Sequence, residues 1–366
     1  MSRMNNRVLL VGSIPGENAT DAMAACGAEL GDYLDCVPDG ETGARRIWIN
    51  FLAASTYHDH PLIETINRPI PIDLKHPDEW RSASETWAPR GYSDHWQFGV
   101  KPGVDSVRFE NLGYSNAAKG SYPDFCDLRD AGVLAKDARF MVAMPLLESA
   151  VRPFVTNEND FEIMRQAYAE ALKREVTDLS DCIPANDLVV QWDICFEVVA
   201  IDGHEQDKAI FPWEPSGDPY ERYLEALTLA AACVPRNVLM GLHLCYGDLG
   251  HQHIIEPRNL AIVTRMANSA ASQVKRDIDY FHMPVPRDRN DDAYFEPLRD
   301  LEIGDTKLYL GLIHTTGGEQ TSLGLLETAQ RHASGFGVAT ECGFGRRPLD
   351  SLPELLRIHR VIADAL

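Results

Sequence analysis

The sequence has little positive charge and no long hydrophobic run. Its 366 residues include 34 Lys and Arg against 55 Asp and Glu, which leaves a formal net charge of −21. So acidic a chain is poorly suited to phosphate backbones and anionic membrane surfaces, and neither nucleic acid nor a membrane is expected as a partner. The apolar run at 8–11 is too short for a signal peptide or a membrane span. We therefore expect a cytoplasmic protein whose ligands are small molecules.

A regular cysteine frame and a glycine-rich phosphate loop are also missing. The eight cysteines are scattered through the chain, which argues against structural disulfides. No glycine-rich fingerprint follows the first predicted strand, so a doubly wound open sheet is only the second choice of fold.

What the sequence does contain is eight short, almost continuously apolar runs, which are typical of parallel strands covered on both faces. They lie at 8–13, 33–37, 140–144, 188–193, 238–245, 279–283, 308–314 and 337–342. Helical apolar spacing recurs among them, at 160–181, 219–232, 257–274, 323–334 and 352–366. Eight strands alternating with helices predict a single α/β domain over residues 1–366, a (β/α)8 TIM barrel.

One connection, 52–135, is far longer than an ordinary βα unit, so the barrel carries a long insertion after the second strand. The insertion is rich in aromatic residues, including Trp87 and Trp96, which argues against disorder. It is either a cap over the barrel mouth or the contact surface of a homo-oligomer. We favour an aromatic-rich cap, because the long βα loops of a barrel lie on its catalytic face.

A metal site is indicated by the segment Gly241-Leu-His-Leu-Cys-Tyr-Gly247, at the end of the fifth predicted strand. Residues i and i+2 of a strand share a face, so His243 and Cys245 are able to bind one ion. The pair suits zinc but needs at least one more soft ligand, for which Cys342 is the natural candidate. The alternative is that His243 is a hydrogen-bonded interior histidine and both cysteines are ordinary buried residues.

Other polar residues follow the predicted strands, at the end of a barrel where catalytic residues gather. They are Ser13, Asp39, Glu41, Asp193, His282 and His314. Each has a structural explanation when taken singly, such as helix capping for Ser13 or a buried, hydrogen-bonded imidazole for His314. Their coincidence on the strand ends favours a functional metal site.

These residues resemble the cobalamin-independent methionine synthase family, specifically its C-terminal catalytic barrel. The likeness covers most of the chain outside 52–135. The matching segments are Val11-Gly-Ser13-Ile-Pro15, Asp39-Gly-Glu41, Gln191-Trp-Asp193, His243-Leu-Cys245-Tyr246, Ile313-His314-Thr315 and Cys342-Gly343.

The resemblance implies a zinc ion held by His243, Cys245 and Cys342. It also implies that Ser13, Glu41 and Asp193 bind the amino acid moiety of homocysteine and that His314 takes part in acid/base chemistry. A zinc-bound thiol is deprotonated yet remains a usable sulfur nucleophile, whereas a free thiol is mostly neutral at cytosolic pH.

Two features depart from the family. Where the family has a glutamate ligand, this sequence reads Tyr280-Phe-His282-Met-Pro284, so His282 is the candidate fourth ligand, with Glu319 or Glu341 next. The segment 145–152 contains no Trp where the family has an aromatic platform for the folate pterin. We therefore expect a small aromatic or apolar alkyl donor, lodged under the cap against Trp87 and Trp96.

The leading hypothesis is a zinc-dependent alkyl (methyl) transferase acting on a small thiol and an alkyl donor. In one alternative the same metal serves a hydrolase or lyase, with His314 or Glu41 as general base. A metal-free decarboxylase and a ligand-binding barrel without catalysis are further alternatives.

Overall fold

The computed structural model describes residue 4 and the ranges 6–69, 95–249 and 252–366. The strands of this part of the chain are β1 (Val8–Leu9), β2 (Cys36–Pro38), β3 (Ile63–Asn67), β4 (Gln97–Val100), β5 (Arg139–Pro145), β6 (Leu188–Ile194), β7 (Leu239–Leu244), β8 (Tyr280–Pro284), β9 (Lys307–Ile313) and β10 (Gly337–Thr340).

Eight of these strands form one parallel sheet, in the order β1-β10-β9-β8-β7-β6-β5-β2. A parallel bridge between Val8 and Leu34 links β1 to the segment that leads into β2, so the sheet is nearly closed. Each of the eight predicted strands is present, and the TIM barrel is confirmed. Their apolar runs are continuous because one face of each strand packs inside the barrel and the other against the helices.

The helices of the described residues are α1 (Ala19–Leu30), α2 (Asn50–Leu52), α3 (Tyr114–Asp130), α4 (Leu147–Val151), α5 (Glu158–Cys182), α6 (Phe196–Glu205), α7 (Pro219–Cys233), α8 (Ala261–Gln273), α9 (Asp292–Phe295), α10 (Gly318–Ala329) and α11 (Leu352–Asp364). In the described ranges, none of them is long and apolar enough to cross a membrane. The sequence placed α10 at 323–334, whereas it begins five residues earlier, directly after Gly317 at φ 78°.

The insertion between β2 and β5 is only partly an addition to the barrel. Strands β3 and β4 pair as an antiparallel hairpin, whereas α3 packs against α1 and α5 as a helix of the outer ring. The Trp96 ring stacks on Phe98, and both side chains are buried. Trp87 lies outside the described residues.

The floor of the barrel is a compact cluster in which polar groups are paired. Gly241 is required because a Cβ at this position would overlap the Tyr280 ring. The Tyr280 hydroxyl donates to Gln191 Oε1 at 2.8 Å, and the Gln191 amide donates to Asp193 Oδ1 at 2.9 Å. This chain of hydrogen bonds runs from the floor to the strand ends and fixes the Asp193 carboxyl.

Candidate metal centre

The barrel mouth contains a cavity of about 460 Å³ at the carboxyl ends of the strands. Its wall combines polar residues of the strand ends with aromatic and apolar residues of the loops. The polar part includes Ser13, Glu41, Asp193, His243, Cys195, Cys245, Cys342 and Arg346. The cavity therefore gathers most of the residues that the sequence assigned to the site.

His243, Cys245 and Cys342 converge in this cavity. One ring nitrogen of His243 and the two sulfurs lie within 4.8 Å of one another. Cys245 Sγ is 3.7 Å from Cys342 Sγ and accepts a hydrogen bond from the Gly247 N–H at 3.2 Å. Two sulfurs bound tetrahedrally to one zinc at about 2.3 Å would be roughly 3.8 Å apart. The spacing of the thiols therefore fits zinc.

The His243 ring has one nitrogen to spare. Its Nδ1 lies 2.7 Å from His282 Nδ1, whereas its buried Nε2 has no hydrogen-bond partner among the described residues. Burial lowers the pKa of His243 well below its usual value and that of His282 to about 3. Both imidazoles are neutral at pH 7, and neutral imidazole is the form that binds a metal. An unpaired buried nitrogen beside two thiols is what a metal ligand would leave in the unloaded protein.

Neighbouring thiols and burial disfavour the ionised forms of Cys245 and Cys342. A hydrogen bond with Cys195 raises the pKa of Cys245 well above its usual value, and a hydrogen bond with Cys245 does the same for Cys342. A divalent cation would reverse this, because a coordinating thiol is deprotonated outright. The donor set of two sulfurs and one imidazole therefore suits a soft or borderline ion such as zinc.

None of the three candidate fourth ligands joins this trio. Strand register places His282 beside His243, so its Nδ1 meets the His243 ring, and His282 orients that ring. Glu341 instead bonds His253 Nε2 at 2.8 Å, and Glu319 pairs with Arg357 at 3.0 Å.

Glu41 and Asp193 form the second polar group of the cavity. Glu41 has a left-handed backbone, at φ 47°, and Gly12 leaves room for its carboxyl group. Asp193 accepts hydrogen bonds from Gln191 and from Trp48 Nε1, the latter at 3.1 Å. Burial is the main cause that raises the pKa of Glu41 to about 8 and that of Asp193 to about 7. A cationic group placed between them would favour their ionised forms.

Ser13 joins the first strand to the segment that carries Cys342. Its hydroxyl accepts a hydrogen bond from the Gly345 N–H at 3.2 Å, and its carbonyl accepts one from the Phe344 N–H at 2.8 Å. The residue therefore lines the cavity and also positions the late cysteine.

His314 lies at the end of β9 but is not among the residues that line the cavity. Its Nε2 is 2.9 Å from the carbonyl oxygen of Val285, which turns the ring towards the end of β8. Burial lowers its pKa. The structure therefore does not bring His314 together with the other predicted catalytic residues.

The aromatic wall of the cavity comes from segments that the sequence did not single out. It includes Trp48, Phe154, Phe196, Phe211 and Trp213. Trp48 stacks on Phe196 with 6.2 Å between ring centroids, and it does so from a strained backbone at φ 48°. Trp96 is buried in the insertion and does not line the cavity. Among the described residues, Trp48 and Trp213 do line the cavity. They lie after β2 and after α6, in loops where the sequence pattern does not predict the direction of a side chain.

No protein-family model matches this sequence, and no curated protein matches it either. Among solved structures, the chain is similar to a B12-independent methionine synthase from Shewanella sp. W3-18-1 in complex with selenomethionine. That alignment has a TM-score of 0.60 and 14% identity, over 99% of this chain and 97% of the other. The chain is also similar to a proposed vitamin-B12-independent methionine synthase from Listeria monocytogenes, with a TM-score of 0.50 and 16% identity over 94% and 86%. At these identities the likeness establishes the fold.

Proposed function

We propose that this protein is a zinc-dependent alkyl transferase that methylates a small thiol, such as homocysteine, at the barrel mouth. The observation that carries the proposal is the convergence of His243, Cys245 and Cys342 in the same cavity as Glu41 and Asp193. A metal beside a pair of carboxyls suits a substrate that has a thiol at one end and an ammonium group at the other. The shared fold with a B12-independent methionine synthase supports the same choice.

The ligands would be His243 Nε2 and the sulfurs of Cys245 and Cys342. A zinc ion held by them would lower the pKa of a bound thiol and leave its sulfur nucleophilic. The pairing with His282 orients the His243 ring, and the Gly247 N–H donates to the Cys245 sulfur.

The carboxyl pair would bind the ammonium group of the substrate. Glu41 and Asp193 retain protons in the unliganded protein because burial raises their pKa values. An ammonium group between them would make ionisation favourable, so binding would release protons from the pair. Ser13 lies in the same wall and completes the predicted amino acid site.

The aromatic wall would accept the alkyl donor. Trp48, Phe196, Phe211 and Trp213 provide apolar surface in the same cavity as the metal ligands, and they would exclude water from the reacting thiolate. A lone pair of the substrate thiolate sulfur would form the new S–C bond to the alkyl carbon. The bond between that carbon and the rest of the donor would break at the same time, and its electron pair would stay with the departing part of the donor. This surface supports a small aromatic or apolar donor, although the predicted Trp96 does not belong to it and Trp87 lies outside the described residues.

The test is methionine formation by zinc-loaded protein from homocysteine and a panel of methyl donors, followed by mass spectrometry. We expect methyl transfer from small methylated aromatic compounds and weak transfer from methyltetrahydrofolate polyglutamate. Trp213→Ala should lower the rate while homocysteine still binds. The absence of any thioether product from zinc-loaded protein would contradict the transferase proposal. Efficient folate-dependent turnover that Trp213→Ala leaves unchanged would contradict the choice of donor.

A further inference from the structure

Arg346 places a positive charge in the wall of the barrel mouth, where neither the metal ligands nor the carboxyl pair calls for one. It lies in the loop after β10, four residues beyond Cys342, and its side chain is 17% exposed. The same cavity is lined by Glu41 and Asp193. A fixed cation disfavours an ammonium group nearby, unless the ligand also carries an anion that faces the cation. The arginine is therefore best matched by a second, anionic group on the ligand.

Loops from three parts of the chain meet at the Arg346 guanidinium. Its Nη2 donates to the Asp248 carbonyl at 3.3 Å and to Asp248 Oδ2 at 3.2 Å, and its Nη1 donates to the Arg46 carbonyl at 3.3 Å. Charge-assisted hydrogen bonds are usually about 2.7–2.9 Å long, so the contact with Asp248 is a weak one of its kind. A guanidinium has several N–H donors in a planar fork, which allows it to bind a ligand carboxylate while Asp248 keeps it in position.

Arg346 is linked to the proposed ammonium site through Ser13. A Cβ at Gly12 would lie 3.1 Å from Glu41 Oε1, so the Glu41 carboxyl group lies against the strand end that carries Ser13. The Ser13 hydroxyl accepts a hydrogen bond at 3.2 Å from the N–H of Gly345, the residue before Arg346. Burial raises the pKa of Glu41, and the charge of Arg346 opposes that rise. The carboxyl group and the guanidinium therefore border one part of the cavity, as the ammonium and carboxylate groups of a single α-carbon require.

The Ser13 hydroxyl also has a donor to offer in this part of the cavity. Ser13 is buried, at 5% exposure. Its oxygen accepts from Gly345, but its own O–H has no acceptor in the described part of the chain. A carboxylate oxygen held by Arg346 would satisfy that donor.

Arg152 also lines the cavity but is engaged differently. It forms ion pairs with Glu148 and Glu214, and its guanidinium lies 4.0 Å from the centre of the Phe211 ring. Arg152 therefore belongs to the aromatic wall, whereas Arg346 lies on the side of the carboxyl pair.

We propose that Arg346 binds the α-carboxylate of the thiol substrate, while Glu41 and Asp193 bind its ammonium group. The substrate class is then an α-amino acid with a thiol side chain, such as homocysteine, rather than a simple amino thiol. Arginine suits this role because its planar fork matches the two oxygens of a carboxylate. The inference rests on the proposed function for the thiol and ammonium sites, but it requires no methyl transfer.

The first test uses zinc-loaded wild-type protein and compares two ligands by calorimetry. Homocysteamine has the thiol and the ammonium group of homocysteine but lacks its carboxylate. We expect homocysteine to bind roughly 10-fold to 100-fold more tightly, since charged hydrogen bonds are lost with the carboxylate. Equal affinities would overturn the assignment of Arg346 and leave the metal and ammonium sites intact. Zinc-loaded protein that binds neither compound would overturn the proposed function as well.

The second test compares Arg346→Gln with Arg347→Gln. Arg347 is a matched control, because it bonds Thr315 Oγ1 at 2.6 Å and is not among the described residues that line the cavity. Arg346→Gln should bind homocysteine roughly 10-fold or more weakly, with its affinity for homocysteamine and its zinc content unchanged. Arg346→Lys, which keeps the charge but not the fork, should lie between it and wild type. Arg347→Gln should keep the full preference for homocysteine. Equal weakening of both ligands in Arg346→Gln would show that the arginine only holds the loops together.

Discussion

The floor and the mouth of the barrel differ in how their buried polar groups are paired. At the floor, the Tyr280 hydroxyl donates to Gln191 and the Tyr309 hydroxyl to the Asn6 carbonyl. At the mouth, His243 Nε2 is buried without a partner in the described chain, and burial raises the pKa values of Glu41 and Asp193. Polar groups at the floor therefore serve the fold, whereas those at the mouth are arranged for a ligand. Substitutions at the floor should therefore lower stability, whereas substitutions at the mouth should weaken binding of the metal or the substrate.

The largest contrast should come from cysteine substitutions. Cys245→Ser and Cys342→Ser should each reduce bound zinc from about one ion per chain to nearly none, because each removes a soft ligand. Cys36→Ser, at the floor, should keep its zinc. Elemental analysis of the three purified variants measures this difference, and full zinc retention in Cys342→Ser would mean that the site is drawn wrongly.

The carboxyl pair should control binding of the amine rather than of the metal. Asp193→Asn removes a buried charge that would pair with an ammonium group, and charged hydrogen bonds contribute about 1.5–3 kcal/mol. We expect homocysteine to bind roughly 10-fold to 100-fold more weakly, by calorimetry, with zinc content unchanged. Equal affinity in wild type and variant would remove Asp193 from the substrate site.

The same pair should make the protein sensitive to pH. In the unfolded chain both carboxyls ionise near about pH 4, but in the folded protein burial raises the pKa of Asp193 to about 7 and that of Glu41 to about 8. The folded state therefore holds more protons between these values, and the free energy of unfolding should fall as pH rises through this window. Binding of the substrate amine should become stronger as pH rises through the same window. Denaturant unfolding of metal-free protein should show a shallower pH dependence in Asp193→Asn, and an identical slope would contradict this account.

A smaller effect is expected from His282. His282→Ala removes the partner of His243 Nδ1, and loss of such an orienting contact weakens metal affinity by about 10-fold. Tyr309→Phe is a matched control, since Tyr309 is the register neighbour of His282 on β9. Competition with a chelator measures both affinities. Equal weakening in the two variants would indicate a general loosening of the barrel instead of a role for His282.

Floor variants should lose stability and keep the metal. Tyr280→Phe leaves Gln191 Oε1 without its donor, which should lower the free energy of unfolding by about 1–2 kcal/mol. Zinc content should remain that of wild type. A change in zinc content without a change in stability would reverse the proposed division between floor and mouth.

The sequence predicted the barrel well because its strands are buried on both faces and read as continuous apolar runs. It also predicted His243, Cys245 and Cys342 as one cluster, because the i, i+2 rule pairs the first two and a metal site needs a further soft ligand, for which Cys342 was the candidate. Trp48 and Trp213 were missed because loop residues have no periodicity from which the direction of their side chains follows. Their position depends on tertiary contacts such as the stacking of Trp48 on Phe196.

The central claim is that His243, Cys245 and Cys342, which converge at the barrel mouth, are metal ligands. The most direct test is the metal content of wild-type protein purified without chelators and supplied with zinc. We predict about one tightly bound zinc per chain, which dialysis does not remove. Zinc-supplied protein that is folded and still contains no metal would contradict the claim.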